Sequence, residues 1–548
     1  FSAPQFTLPT WLPHNGSTDV LSGEPFASPN TSTYFTGTTH SCSTLGQLTT
    51  ALANCVDTDI IEITATIAVG TSTQTLRNRG DSGWVLIRSS GYASLPAAGT
   101  RVNPTTHAAA LKILTVTGSQ PAFQCAQGAR GYYFQGISIE KSSGTGLGGS
   151  LLSLGASTQT QASHIPTYIE LRHCCIRNHF TNGGSTYTGR GIFLQSRYTK
   201  IRDCYLDGHT QPGADAQAIL IGNCQGDIEI HNCYLEGSTE NIMVGGYAFA
   251  AGSTGQPSNI WVHQNYFFKR TDWMTGGLYT AYAVRKNFFE LKAGEKVVFE
   301  GNYCENHDGS GQQGDMNVSA KPQSVAEQSY VYVRDITIRY NKYTASAAPG
   351  GAATSVADSG LATPMGTQRI QYASNVWVNR RYTGGSIWWL IGVTGGIPNV
   401  TIENNVFSCT NALAFLTPNP ANGGALKAPN FILRNNINYG ASNGPVLTDG
   451  GGGVTALNGI CGVGLWNVAS NVVLTRTWEA ALLAAPYSNK TSTTLAGFGF
   501  ADSANGDYSL VTGSTYKNIG TDGADPGPKW TRFNAILAGV TTGVPTGS

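Results

Sequence analysis

Residues 228–237 read Ile-Glu-Ile-His-Asn-Cys-Tyr-Leu-Glu-Gly, and this pattern recurs along the chain. Each copy has apolar residues at alternating positions, then a Cys or an Asn, then usually one more apolar residue two places on. The recurrent Cys/Asn position falls, at spacings of 29 to 39 residues, on Cys174, Cys204, Cys233, Asn265, Asn302, Asn341, Asn375, Asn405 and Asn436. Self-similarity at such a period indicates a solenoid, in which no single repeat buries its own apolar face.

The alternation within each copy predicts strands, because helices would need apolar residues three and four places apart. Stacked coils of parallel strands, with neighbouring strands ~4.8 Å apart, fit the repeat. Asn suits the turn position, since it tolerates left-handed backbone and its amide can bond the equivalent amide one coil away. A buried Cys can fill the same place. The pattern therefore predicts an all-β fold, a right-handed parallel β-helix solenoid with an N-terminal capping helix and a C-terminal cap.

Composition restricts the classes of partner. Charged residues make up 12% of the 548 residues and the net charge is +1, whereas nucleic-acid binding needs a concentrated basic surface. We therefore expect no nucleic-acid partner. No apolar run reaches the ~18 residues of a membrane span, so we expect none. Low charge with abundant Gly, Ser, Thr and Asn, in a numbering that begins at Phe1, favours a secreted protein that acts outside the cell or on its surface.

We divide the chain into four segments by sequence pattern. Residues 1–41 form an extended, nearly uncharged and aromatic arm, and residues 42–130 hold the capping helix and the first coils. Residues 131–445 are β-helix coils, and residues 446–548 are the last coils and the C-terminal cap. Two alternatives are open for the arm: it lies on its own β-helix, or it docks on a neighbouring copy and supports self-association into an oligomer or fibre.

The eleven cysteines cannot all pair. Cys42 and Cys55 bracket the predicted capping helix, and in a secreted chain they are the pair expected to form a disulfide. The cysteines of the repeat are expected to be stacked, buried thiols, because parallel side-chain vectors do not favour bonding. No Cys-x-x-Cys or His-x-x-x-His spacing indicates zinc. We expect neither a metal nor another cofactor.

The early helix, the Asn column and coils of about 30 residues together resemble the pectate-lyase-like β-helix superfamily. Three phrases also resemble secreted bacterial right-handed parallel β-helix repeat proteins: residues 238–246 (Ser-Thr-Glu-Asn-Ile-Met-Val-Gly-Gly), 287–292 (Asn-Phe-Phe-Glu-Leu-Lys) and 299–302 (Phe-Glu-Gly-Asn). The resemblance covers most of residues 40–530 and implies the fold. It assigns no activity, because one fold hosts many functions.

Candidate chemistry concentrates where the coils are longest. If alternation holds, Glu290 and Lys292 point outward on one strand, and Asn317 and Lys321 do so on the next coil. The Glu-then-Lys order and the second cation resemble the chondroitinase B and alginate lyase family, although that family has Arg where this chain has Lys321. The resemblance implies catalytic roles for Lys292, Lys321 and Glu290. We expect Asn317, His307, Gln313 and Asn241 to contact substrate.

Two functions follow from these patterns. One is binding of an extended polysaccharide, with cleavage of an acidic glycan by β-elimination if the protein is an enzyme. That reaction needs a neutralised carboxylate, a base for the C5 proton and a proton for the leaving oxygen. The other is a non-catalytic surface protein or filament subunit, and a phage-tailspike role comes third. In the non-catalytic case Glu290 and Lys292 form a solvated ion pair.

Overall fold

The computed structural model describes the chain except for residues 1–25, 144–148, 157, 181–185, 309–313, 346–351, 354–365, 379–388, 395–396, 409–411, 417–427, 442–445, 449–450, 476–477 and 544–548. It divides into two compact units. Among the described residues, the N-terminal unit comprises residues 26–290 and 539–543, and the C-terminal unit comprises Leu291–Ala538. The strands of each unit belong to three sheets, named here the first, second and third sheet in the order in which a coil visits them.

In the N-terminal unit the coils begin close to the start of the described chain. The first sheet contains Thr39–Cys42, Ile60–Ile63, Val85–Ser89, Arg130–Gln135, Thr167–Arg172, Arg197–Arg202, Ile228–His231 and Ser258–His263. The second contains Ile67–Gly70, Lys112–Val116, Ile137–Lys141, Cys175–Asn178, Tyr205–His209, Tyr234–Gly237 and Tyr266–Phe268. The third contains Gln74–Leu76, Phe123–Cys125, Ser150–Leu154, Arg190–Leu194, Gln217–Ile221, Glu240–Val244 and Phe289–Leu291, and the boundary between the units falls within this last strand.

The C-terminal unit repeats this order. Its first sheet contains Gly294–Glu300, Val333–Arg339, Thr367–Ala373, Val400–Glu403, Phe431–Arg434 and Trp466–Ala469. Its second contains Tyr303–Glu305, Lys342–Thr344, Val376–Val378, Val406–Phe407, Ile437–Ala441, Val472–Leu474 and Lys490–Ser492. Its third contains Met316–Val318, Ala352–Ala353, Trp389–Thr394, Ala412–Leu416, Val446–Thr448 and the antiparallel Gly451–Gly452. A separate antiparallel pair is formed by Phe500–Asp502 and Asp507–Leu510.

Helices are few and short. The α-helices of the described residues are Leu45–Asn54, Gly453–Cys461, Ala480–Leu483 and Trp530–Leu537. Single 3-10 turns occur at Tyr92–Ser94, Ala108–Ala110, Ala162–His164, Gly252–Gly255, Thr271–Trp273, Thr280–Tyr282, Ala326–Ser329, Ala496–Phe498 and Ser503–Asn505.

The coils stack in register, and their alternating apolar residues form the core. Ile201 pairs with Ile230, and Ile230 with Val262, in parallel strands of the first sheet, and all three side chains are fully buried. Each coil lines the interior in this way and leaves the intervening residues on the outside. The fold is the right-handed parallel β-helix that the sequence predicted.

The repeated Asn position forms one hydrogen-bonded column inside the C-terminal unit. The backbone N–H and the side-chain amide of Asn302 both donate to Asn341 Oδ1, at 2.9 and 3.1 Å. The same contacts link Asn341 to Asn375 and Asn375 to Asn405. The residue before each column position adopts left-handed backbone, as at Ser374 (φ 56°), which makes the turn that directs the amide inward. The predicted register is confirmed.

Cysteines occupy this column in the N-terminal unit. Cys174, Cys204 and Cys233 are buried and free. The backbone N–H of Cys174 donates to Cys204 Sγ at 3.4 Å, and that of Cys233 donates to Asn265 Oδ1 at 2.8 Å. Sulfur and amide oxygen therefore accept from the same kind of backbone donor at this turn. The prediction of stacked, buried thiols is confirmed.

The capping helix Leu45–Asn54 lies next to the first coil. Thr44 accepts a hydrogen bond from the backbone of Gln47, and the Gln47 side chain accepts one from the backbone of Thr44, a reciprocal arrangement that stabilises a helix start. The predicted disulfide at the two ends of this helix is absent. Cys42 and Cys55 are separate buried thiols, directed to the carbonyls of His40 and Leu52.

The described part of the arm lies on its own chain. Phe35 is buried against Ile60, Leu86 and Tyr133 on the outer face of the first sheet. Further along that face, Lys200 donates to Ser28 Oγ at 3.0 Å. From residue 26 onward the arm therefore lies on its own β-helix, which is the first of the two alternatives. Residues 1–25 lie outside the described part of the chain.

The C-terminal segment packs on the second sheet of its unit. Phe533, from the helix Trp530–Leu537, and Tyr508, from the antiparallel pair, are buried together with Val406 and Val472. The Asn column also continues beyond Asn436, through Asn471 to Asn489. The coils therefore extend past the last repeat recognised in the sequence before the cap begins.

Candidate functional site

The two lysines predicted for catalysis lie on consecutive coils of the C-terminal unit. Lys292 follows the strand Phe289–Leu291, and the backbone N–H of Lys321 donates to the carbonyl of Lys292 at 2.8 Å. The backbone N–H of Ser319 donates to the carbonyl of Leu291 at 2.9 Å, so the two segments run side by side. Both lysine side chains are half-buried. Strands in a sheet are ~4.8 Å apart, which allows two flexible ammonium groups to reach one carboxylate.

Asn317 lies four residues before Lys321 on the third sheet. It is half-buried, whereas Met316 and Val318 on either side of it are buried. This alternation places the Asn317 side chain on the outer face, as predicted. Asn317, Lys292 and Lys321 are therefore three half-buried polar residues on neighbouring coils of this sheet.

His307 does not line an open wall, contrary to its predicted position. Its Nδ1 lies 2.9 Å from Asp315 Oδ1, and both side chains are fully buried. The pair joins the two ends of the long connection between the strands Tyr303–Glu305 and Met316–Val318. Gln313, in the same connection, lies outside the described residues.

Glu290 and Asn241, in the N-terminal unit, are also buried rather than exposed. The Glu290 side chain is 1% exposed. The Asn241 amide donates to the carbonyls of Leu235 and Phe268 at 2.7 and 2.9 Å, so it ties its strand to second-sheet strands of its own coil and of the next coil. Both were predicted to lie on an open groove because strand alternation gives the face of a residue but not whether that face is buried.

Glu290 belongs to a cluster of carboxyl groups that the sequence did not reveal. Glu240 is fully buried, accepts a hydrogen bond from Gln217 at 2.7 Å and lies 3.7 Å from Lys286 Nζ. Lys286 also binds the partly exposed Asp215 at 2.7 Å. The Lys286 ammonium group therefore interacts with three carboxyl groups, those of Glu240, Asp215 and Glu290.

Burial dominates the electrostatics of this cluster. It raises the pKa of Glu240 to about 8, and the negative charges of Glu290 and Asp215 act in the same direction. For Lys286, burial alone would lower the pKa, but the charges of Glu240 and Asp215 outweigh it and the pKa is raised. At neutral pH, Glu240 is therefore mostly a neutral acid beside a charged lysine.

A register signal in the sequence could have identified part of this cluster. Arg190, Gln217 and Glu240 are partners on three successive strands of the third sheet. Each stands two residues before a buried isoleucine of its strand, which is Ile242 on the last strand. Polar residues that occupy equivalent positions on several successive coils indicate a set of side chains with a shared functional or structural role. Lys286 and Asp215 reach this set from connections, where the repeat gives no register.

Within the described residues, no helix is both long and apolar enough to cross a lipid bilayer.

No protein-family model matches the chain, and no curated protein matches it.

Solved structures give matches at low identity. The PL6 family alginate lyase AlyGC is 10% identical, with a TM-score of 0.49 over 90% of this chain, which spans 58% of that protein's length. A mannuronic acid specific polysaccharide family 6 lyase from human gut microbiota is 10% identical, with a TM-score of 0.42 over 93% of this chain and 100% of its own. PfbA, a surface adhesin of Streptococcus pneumoniae, is 10% identical, with a TM-score of 0.42 over 71% of this chain and 84% of its own. These likenesses concern fold alone. By its own parallel sheets and inward Asn column, the chain is a right-handed parallel β-helix protein.

Proposed function

We propose that the protein binds an extended acidic polysaccharide on the outer face of the third sheet and cleaves it by β-elimination. The observation that supports this proposal is the position of Lys292 and Lys321 just beyond adjacent third-sheet strands, where the backbone N–H of Lys321 donates to the carbonyl of Lys292 at 2.8 Å. Both side chains keep partial access to solvent on a sheet whose other residues nearby are mainly buried. We further propose that the protein acts outside the cell, where such polymers occur.

In this mechanism the two lysines have different tasks. The ammonium of Lys321 binds the uronate carboxylate and stabilises the charge that develops when the C5–H bond breaks. The amine of Lys292, when unprotonated, accepts the C5 proton. The C4–O bond then breaks, a C4=C5 double bond forms, and the leaving oxygen takes up a proton from the site or from water. Asn317, on the same face, can donate its amide to the carboxylate.

Lysine at position 321 affects recognition. Arg binds a carboxylate through two parallel N–H groups, whereas Lys acts as a point charge on a flexible stem. We therefore expect the carboxylate to be held by Lys321 together with the Asn317 amide, and we expect weaker selection for its orientation than an arginine would impose.

The experiment is an assay for unsaturated uronate on a panel of acidic glycans, with neutral glycans as negative substrates. Lys292→Ala should abolish product formation, and Lys321→Ala should both raise KM and lower kcat, because Lys321 binds the carboxylate and stabilises the charge that develops on it. Lys490→Ala is the matched control, because Lys490 is an exposed lysine on the second sheet of the same unit and should leave activity unchanged. If the wild type cleaves no acidic glycan, the lyase proposal fails and the non-catalytic alternative stands.

A further inference from the structure

The outer face of the first sheet in the N-terminal unit carries an ordered square of polar and aromatic side chains. Two strands, Ile228–His231 and Ser258–His263, are paired in parallel there. Glu229 is the register partner of Trp261, and His231 is the register partner of His263. The parallel pairing fixes the Cα positions of these four residues. Their side chains can therefore change position relative to one another only by rotating about side-chain bonds.

Three of these side chains bring their ligand atoms together. His263 Nε2 lies 3.0 Å from Glu229 Oε1, and the His231 and His263 rings stack with centroids 4.2 Å apart. The carboxylate oxygen and a nitrogen of each imidazole all lie within 4.8 Å of one another. Neighbouring ligands around a tetrahedral ion bound at ~2.0–2.2 Å are themselves a little over 3 Å apart. The two imidazole planes are within 7° of parallel, so binding one ion requires the His231 ring to turn toward Glu229 and His263.

We propose that Glu229, His231 and His263 bind a borderline divalent transition-metal ion such as Zn²⁺. Two imidazoles and one carboxylate are a donor set that Zn²⁺ accepts, with a fourth position left for water or another ligand. This set of nitrogen and oxygen donors disfavours Ca²⁺ and Mg²⁺, which take oxygen ligands. The proposal is independent of the lysines of the C-terminal unit.

The surroundings of the three ligands suit this role. Arg202, one coil earlier, donates from Nε and Nη2 to Glu229 Oε2, at 3.1 and 2.5 Å. It therefore orients the carboxylate and leaves Oε1 directed to His263, as outer-shell partners of metal sites do. Its positive charge lowers the affinity for a cation, so we expect binding in the micromolar range rather than the tighter range of structural zinc sites.

Packing leaves one side of the group open. The Trp261 ring stacks on His263 with centroids 3.6 Å apart and restricts its rotation. Glu229 and His263 are buried, while His231 is half-buried. An ion can therefore enter from the side of His231, where Gln264 Oε1 lies 3.1 Å from His231 Nε2.

The test is titration of the metal-free 548-residue chain with Zn²⁺ by calorimetry, and with Cu²⁺ followed by electron paramagnetic resonance. We expect one Zn²⁺ per chain, a raised thermal midpoint with Zn²⁺, and a Cu²⁺ spectrum with splitting from two imidazole nitrogens. His231→Gln, at the half-buried position, should weaken binding at least tenfold while the chain stays folded by circular dichroism. His263→Asn should do the same.

His179→Asn is the matched control. His179 is 41% exposed and pairs with Glu140, away from this group, so its loss should leave Zn²⁺ affinity unchanged. Absence of stoichiometric Zn²⁺ binding by the wild type would overturn the proposal. So would undiminished binding by a folded His231→Gln/His263→Asn double variant.

Discussion

Asn375 is the middle of the Asn column, and its replacement by Ala tests what holds the coils in register. Its Oδ1 accepts from the backbone N–H and the amide of Asn341, at 3.1 and 2.9 Å. Its amide donates to the carbonyl of Ile338 at 2.9 Å and to Asn405 Oδ1 at 3.0 Å. Ala would leave four buried polar partners short of one hydrogen bond each.

The expected loss follows from these contacts. A buried polar group left without its partner costs about 1–3 kcal/mol, and some of the four partners keep another bond. We therefore expect Asn375→Ala to lower the free energy of unfolding by about 3–6 kcal/mol. Asn375→Cys should cost less, because a thiol fills the turn and can accept from the preceding backbone N–H, as Cys204 does for Cys174.

Urea denaturation followed by circular dichroism measures this difference. Asn54→Ala serves as the control, because Asn54 is exposed at the end of the capping helix and should change stability by less than about 1 kcal/mol. A loss below about 1 kcal/mol for Asn375→Ala, or equal losses for Ala and Cys, would refute the idea that column hydrogen bonds stabilise the stack.

Two further predictions concern buried ionisable groups. Because the folded pKa of Glu240, about 8, lies above its ordinary value of 4.5, the unfolded chain ionises first as the pH rises. Glu240 therefore costs no stability below pH ~4.5 and progressively more up to pH ~8, up to about 5 kcal/mol at ~1.4 kcal/mol per pKa unit. In urea titrations at pH 5 and 8.5, Glu240→Gln should reduce the loss of unfolding free energy between the two pH values. An unchanged loss would contradict the raised pKa of Glu240. Cys42 and Cys55 should both be alkylated after unfolding without reductant, and mass spectrometry showing them joined would contradict the free thiols.

Repetition made the fold predictable from sequence. Each coil repeats the same alternation and the same turn residue, so the register of Asn302 with Asn341 could be inferred without knowing any loop. The N-terminal cap was equally local, because Thr44 and Gln47 carry the start signal within four residues. Asn489 could not be predicted from the repeat because it follows Asn471 by only 18 residues, whereas Asn471 follows Asn436 at an ordinary spacing of 35 residues and its place in the column was within reach of the same pattern.

The candidate site was less predictable because it depends on the connections between coils. Strand alternation placed Lys292 and Lys321 on adjacent coils, and the structure has them adjacent. Alternation could not show that Glu290 and Asn241 are buried, because it gives the face of a residue and not what packs on that face. His307 lies in a connection, where the repeat gives no register. The Cys42–Cys55 disulfide was inferred from spacing and compartment, whereas bonding depends on the direction of each side chain.

The most informative experiment is the initial rate of unsaturated uronate formation by the wild type, Lys292→Ala and Lys490→Ala on the best acidic glycan of a panel. The proposed lyase predicts activity in the wild type and Lys490→Ala, and no measurable rate in Lys292→Ala at an unchanged thermal midpoint, because a half-buried surface lysine contributes little to stability. Equal rates in all three proteins would contradict the assignment of the base to Lys292.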